Sequence, residues 1–123
     1  MSKPLTTLKR SLLSVHFTEK EASVYLALLG LGQGTVSQIA YQANINRTTC
    51  YVILSILLKM RLARVVIHEP KQLYAPTHPK KIKTLVLKEL KKNQARLELV
   101  DNMILELERI QQESPWSKRV TVL

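Results

Sequence analysis

Cysteine is nearly absent. Cys50 is the single thiol in 123 residues, which excludes an internal disulfide and a multi-thiolate zinc site. The histidines His16, His68 and His78 share no ligand-like spacing with Cys50 or with a carboxylate cluster, so no metal and no cofactor is expected. No apolar run approaches the roughly 18 residues of a membrane span. The opening segment, MSKPLTTLKRSLLSVHF, is too broken by charge for a secretory leader. A soluble protein of the cytoplasm, with no membrane partner, is expected. Glycine is scarce too, and Gly30, Gly32 and Gly34 stand together. No strand precedes them and the Lys-Ser/Thr ending of a phosphate-binding loop is missing, so they read as a helix stop at Gly30 and a flexible turn. No nucleophile–base–acid set is apparent, and Glu19 and Glu21 are placed for helix capping. An enzyme is not expected, nor a small-molecule ligand.

Acids are the other shortage. Lys and Arg number 19 against 9 acids, a formal charge of +10 and a pI near 10.0. The excess is uneven: residues 1–96 hold 16 Lys/Arg and 4 acids, whereas residues 97–123 hold 3 and 5. Such a balance favours anionic polymers, through phosphate neutralisation and counterion release.

Helical spacing of Leu5, Leu8, Leu12 and Leu13 predicts a leading helix to Val15. Thr18 and Glu21 form a capping box that opens a helix to Leu29, with Ala22, Tyr25, Leu26 and Leu29 as its inner stripe. Thr35 and Gln38 form a second box for a helix to about Ala43, with Val36, Ile39 and Ala40 inward. Asn44 suits a left-handed turn, Ile45 a plug on the core, and Asn46 the N-cap of a helix from Arg47 to Met60. Two short helices around a tight turn are the pattern of a helix-turn-helix, whose second helix can enter a DNA major groove.

On that second helix Cys50, Ile53, Leu54 and Leu57 share one face, while Arg47, Thr48, Tyr51, Ser55 and Lys59 lie on the other. A base-reading helix needs such a division, with an apolar seam to hold it and polar side chains to reach base edges. Cys50 is on the seam and is expected to be a core residue. Ala63–Ile67 and Gln72–Ala75 read as two short strands around Glu69-Pro-Lys71, a hairpin in the place of a wing. Arg64, His68, Lys71 and Gln72 are its candidate phosphate or minor-groove contacts, and Thr35 joins them from the start of the preceding helix.

From Pro79 to about Gln112 nothing breaks a helix roughly 50 Å long. Val86, Leu90, Asn93, Leu97, Val100, Ile104 and Leu107 step along it by four and three, a heptad seam with one polar interruption; Leu99, Met103 and Ile110 widen the face. Pairing with a second copy is expected. Lys88, Lys91, Lys92 and Arg96 precede Glu98, Asp101, Glu106 and Glu108, which favours antiparallel pairing. The tail from Trp116 to Leu123 reads as a short extended piece.

These residues, taken together, resemble the winged-helix domain of TrmB-like transcriptional regulators over about residues 5–85. The matching pieces are Thr18-Glu-Lys-Glu21-Ala22, the run Val24 to Leu29, Ile39-Ala40, Asn46-Arg47-Thr48 and Tyr51, with Tyr74 and Pro79 beyond. Where that family has a glycine closing the recognition helix, Arg61 stands here. The resemblance implies a DNA-binding, dimer-forming regulator. Larger members carry a sugar-binding effector domain; Ser117 to Val122 resembles only its first strand, so sugar sensing is not expected.

The expected architecture is mainly α with a small β-hairpin wing: a winged helix-turn-helix over 1–77, a long coiled-coil dimerisation helix over 78–113, and a tail over 114–123. The expected function is that of a homodimeric, sequence-specific regulator of transcription acting on double-stranded DNA in the nucleoid. Two alternatives stay open: a DNA-coating architectural protein of low specificity, and a winged-helix module for protein interactions.

Overall fold

The computed structural model describes residues 5–115. The chain falls into two compact units, residues 1–86 and 87–123. The first holds four helices and a hairpin: α1 (Leu5–Ser14), α2 (Glu19–Leu31), α3 (Val36–Ala43), α4 (Arg47–Lys59), β1 (Ala63–Ile67) and β2 (Leu73–Pro76). A long helix, α5 (Lys81–Glu113), begins in the first unit and makes up most of the second. This is a winged helix-turn-helix followed by a long helix, as the sequence implies. The extended tail expected from Trp116 onward lies outside the described residues.

Both capping boxes form. Thr18 Oγ1 accepts the Glu21 N–H at 3.1 Å and Glu21 Oε1 accepts the Thr18 N–H at 3.0 Å. The equivalent Thr35–Gln38 distances are 3.2 and 2.9 Å. Each box satisfies two of the N–H groups that a helix start leaves without partners.

Three helices end the same way. After α1, α3 and α4 the chain turns through a left-handed residue, respectively His16, Asn44 and Arg61, at φ 76°, 58° and 62°. The next N–H reaches back five residues: Phe17 to Leu12, Ile45 to Ala40 and Leu62 to Leu57, at 2.9–3.2 Å. These are Schellman closures, and each drops an apolar side chain onto the core. Phe17 and Leu62 are buried and Ile45 is half-buried.

Helix α2 departs from expectation in two respects. It continues through Gly30 to Leu31, and the stop is Gly32, which takes φ 79° and donates its N–H to the Leu28 carbonyl at 2.9 Å. A glycine inside a helix is tolerable, whereas the exit at φ 79° and ψ −39°, unlike the left-handed φ 58° and ψ 48° of Asn44, favours one. Its inner surface is also broader than the predicted stripe. Val24, Ala27 and Leu28 are buried with Ala22 and Tyr25, while Leu26 and Leu29 are half-buried. The cause is position: α2 touches α1, α3, α4 and β2, so most of its circumference faces protein.

Strands β1 and β2 pair antiparallel, with Ala63 opposite Pro76 and a bulge between Val65 and Ile67. A third segment joins them unannounced by sequence pattern. Gly34 and Tyr74 exchange backbone hydrogen bonds at 2.9 and 2.8 Å, so the turn before α3 is stitched to the wing. Ile82 and Leu85, at the start of α5, pack on the edge of the core.

Candidate nucleic-acid interface

Asn46 starts the recognition helix: its Oδ1 accepts the Thr49 N–H at 2.7 Å. The apolar seam of α4 is as predicted, with Cys50, Ile53, Leu54 and Leu57 all buried. Burial pushes the Cys50 thiol up to about 11, which leaves it protonated and unreactive at neutral pH. The opposite face stays open. Arg47, Thr48 and Lys59 are exposed, and Tyr51 and its neighbour Val52 are each 53% exposed.

Three separate segments meet beside that face. Thr35, Val36 and Ser37 at the start of α3, Arg47 and Tyr51 on α4, and Pro70, Lys71 and Gln72 in the wing loop line a groove of about 250 Å³. Five of the ten residues proposed from sequence therefore converge: Thr35, Arg47, Tyr51, Lys71 and Gln72. Thr48, Lys59, Arg64 and His68 are exposed but do not line the groove. Ser55 is half-buried, and its hydroxyl donates to the Tyr51 carbonyl at 3.0 Å, turned back onto its own helix.

The groove gathers positive charge. Arg47 and Lys71 supply two cations from different segments, and the α3 N-terminus adds its partial positive charge. The Thr35 hydroxyl accepts a backbone N–H, a bond that does not use its own O–H. Gln72 is held from behind: the Tyr74 hydroxyl donates to its Oε1 at 2.6 Å. Burial is the main reason the Tyr74 phenol is raised, with Tyr51 and then Cys50 adding to it. A protonated Tyr74 keeps that hydrogen bond across the ordinary pH range.

Sequence reasoning missed Val36, Ser37 and Pro70. Ser37 had a signal, since it sits inside the second capping box and at the first turn of the helix that precedes a recognition helix. Pro70 was legible only as a loop residue. Among the described residues no group of three or more His, Cys, Asp or Glu is placed to hold a metal, and no helix is long and apolar enough to cross a membrane.

The apolar seam of α5 lies in the open. Val86, Leu90, Leu97, Val100, Ile104 and Leu107 are between 40% and 63% exposed. Asn93, within the seam, accepts a hydrogen bond from Arg96 Nη1 at 3.2 Å.

Comparison with known proteins agrees with this geometry. The archaeal chromatin protein TrmBL2, whose structure shows a novel mode of DNA binding, superposes with a TM-score of 0.77 at 22% identity, over 91% of this chain and 45% of its own. The present chain thus spans less than half of that protein's length. A MarR family transcriptional regulator from Silicibacter pomeroyi DSS superposes at 0.53 with 21% identity, over 87% and 78% of the two chains. NadR in complex with 4-hydroxyphenylacetate gives 0.54 and 22%, over 89% and 82%. At these identities the likeness is one of fold. No curated protein sequence matches the chain. The profile of the sugar-specific transcriptional regulator TrmB matches residues 12–80, more than half of the sequence. The chain therefore belongs to the TrmB family of winged-helix, DNA-binding transcriptional regulators.

Proposed function

We propose that this chain is a sequence-specific regulator that binds double-stranded DNA as a homodimer, in the cytoplasm and on the nucleoid. The groove between α3, α4 and the wing carries the reading. It brings Arg47 and Lys71 together with donors from three segments, beside a recognition helix whose outer face is open. In this reading Thr48 and Tyr51 face base edges or thymine methyls, and Arg47 contacts guanine or clamps a phosphate. Lys71, Gln72 and Thr35 hold the backbone and set the register, with Arg64, His68 and Lys59 flanking.

Dimerisation rests on the seam of α5. A helix of this length with such a stripe in water is not stable alone, and a second copy covers it. The dimer also answers an energetic need. One small DNA-binding module buries only about 600–1,000 Å² and each good base contact discriminates by roughly 1–3 kcal/mol. Two copies double both.

The test pairs two substitutions. Arg47→Ala is expected to weaken binding to a selected site by roughly 1–3 kcal/mol and relax preference at one base position. Lys71→Ala is expected to weaken binding to all sequences alike and flatten the salt slope by about one. Identical behaviour of the two refutes the division into reader and positioner. Binding-site selection with the purified chain, paired with light scattering for mass, supplies the site and the oligomeric state.

A second reading has its own support: the superposition on a chromatin protein and the net charge of +10. In that reading the chain coats DNA with little preference. A selected-to-random affinity ratio below about 10³ at physiological salt decides for it.

A further inference from the structure

Residues 87–113 of α5 carry two stripes on opposite sides. One is the apolar seam through Leu90, Asn93 and Leu97. The other holds Lys88, Lys91 and Lys92, with Arg96 at its margin, bonded to Asn93 of the seam; all four are exposed. At 3.6 residues per turn, Lys88 and Lys92 stand roughly 140–180° away from Leu90 and Leu97, with Lys91 and Arg96 to either side. A second helix seated on the seam, running in either direction, does not reach Lys88 or Lys92. The partner's acids therefore cannot neutralise them, although the gross charge of the two halves of α5 invites that idea.

The spacing places like charges side by side. Lys88–Lys91, Lys88–Lys92 and Lys92–Arg96 are three or four residues apart, and each such pair opposes helix formation. Of the acids on α5, Glu89 alone lies within the span of the stripe and is itself engaged; Glu98, Asp101, Glu106, Glu108 and Glu113 lie C-terminal to it. Glu106 is already bonded to Arg109 at 3.3 Å. Four cations thus occupy about 12 Å of helix, facing a polymer that presents one charge per roughly 1.7 Å of duplex axis. Between Lys88 and Arg96 only Ala95 interrupts the stripe, and Leu99, exposed and in line with it, stands one turn beyond.

We propose that Lys88, Lys91, Lys92 and Arg96 form a second DNA-binding surface, which holds the sugar–phosphate backbone without reading sequence. The proposal rests on the reading of the winged helix as a DNA-binding module. It divides the molecule's affinity in two: the winged helix supplies preference, and the α5 stripe supplies a salt-sensitive grip that any sequence satisfies.

The test uses the full chain with Lys88→Gln, Lys91→Gln and Lys92→Gln combined, since glutamine keeps helix propensity. Circular dichroism and light scattering verify that fold and mass are unchanged. Affinity for a selected and a random duplex is then measured from about 50 to 200 mM KCl. The slope of log affinity against log salt is expected to flatten by about 2–3, some 15–60-fold across that range, equally for both duplexes. The selected-to-random ratio is expected to stay within about twofold, because the stripe touches no base edge. An unchanged slope overturns the proposal, and so does a loss confined to the selected site. Two arms separate the sources of phosphate. A shortened nuclease footprint assigns the stripe to the flanks of the same duplex; lost capture of free duplex by bead-bound DNA–protein complex assigns it to a second one. Loss of neither overturns the idea. The Arg47→Ala variant keeps this outcome apart from failure of the main reading: preference surviving that change removes the reader, whatever the lysines do.

Discussion

Arg61 is held where an L-residue is least comfortable, and glycine there is expected to stabilise the fold. Its φ of 62° closes α4 through two hydrogen bonds, Arg61 N–H to the Leu58 carbonyl at 3.0 Å and Leu62 N–H to the Leu57 carbonyl at 2.9 Å. The closure is pinned from outside. The Thr77 hydroxyl donates to the Arg61 carbonyl at 2.7 Å, and the Thr77 N–H to the Leu62 carbonyl at 3.0 Å. None of these bonds uses the Arg61 side chain, so it can be removed without breaking them. The left-handed conformation costs an L-residue about 1–2 kcal/mol, and glycine returns roughly half of that through its freer unfolded chain. Arg61→Gly is therefore expected to add about 0.5–1 kcal/mol. For a domain of this size that raises Tm by roughly 2–8 °C. Calorimetry or denaturant unfolding at one fixed protein concentration reads the effect, because the proposed dimerisation would make Tm concentration-dependent. Arg61→Ala is the control: it removes the same charge but keeps the Cβ, and is expected to leave Tm near the starting value. A rise in alanine equal to that in glycine assigns the effect to charge and refutes the backbone argument; a fall in glycine refutes it outright.

Tyr25 is buried, and its hydroxyl has no hydrogen-bond partner among the described residues; Tyr25→Phe keeps the ring contact with Phe17, at 5.6 Å between centroids, and is expected to be neutral or to stabilise by up to about 1 kcal/mol. Destabilisation beyond 1 kcal/mol in urea would sink that account. Cys50 should resist a thiol reagent at pH 8 in the native protein and react once unfolded. Its folded value of about 11 lies above the roughly 8.5 of a free thiol, so the unfolded state loses its proton first. Stability is then expected to decline as pH rises from about 8.5 towards 11, and a Cys50→Ala variant should lack that component. Leu97→Lys with Ile104→Lys should give monomers by light scattering and steepen the loss of site preference; dimers that survive both changes refute pairing through this seam.

Much of the fold was legible because it is signalled locally. Thr18 with Glu21, Thr35 with Gln38, and Asn46 each fix a helix start within four residues, and Asn44 fixes a turn within one. Burial of Cys50, Ile53, Leu54 and Leu57 follows from period alone. Sequence failed where the deciding partner is distant. The Gly34–Tyr74 bridge joins segments forty residues apart, and neither residue advertises the other. The breadth of buried surface on α2 depends on which four elements surround it, and no periodicity in α2 encodes that. Arg61 shows the opposite failure, since the tertiary clamp by Thr77 holds a left-handed residue that propensity argues against.

The candidate site divides along the same line. Arg47, Thr48 and Tyr51 were readable as one helix face, because capping and an apolar seam define that face by themselves. Their meeting with Lys71 and Gln72 was not readable, because it needs the hairpin to fold back and the Gly34–Tyr74 bridge to bring the start of α3 against the wing. That bridge ties the start of α3 to the wing loop, the two segments proposed to hold the DNA backbone. Gly34 is the residue that permits it: it is buried, and a Cβ there would stand 3.3 Å from Gln38 Oε1 and 3.5 Å from Ile39 Cγ1. The Gln38 contact is with the end of the capping side chain that starts α3, so an added carbon asks that side chain to give by a few tenths of an ångström at the bond that opens the helix. The start of α3 and its bridge to the wing thus meet at a single glycine, outside the recognition helix itself.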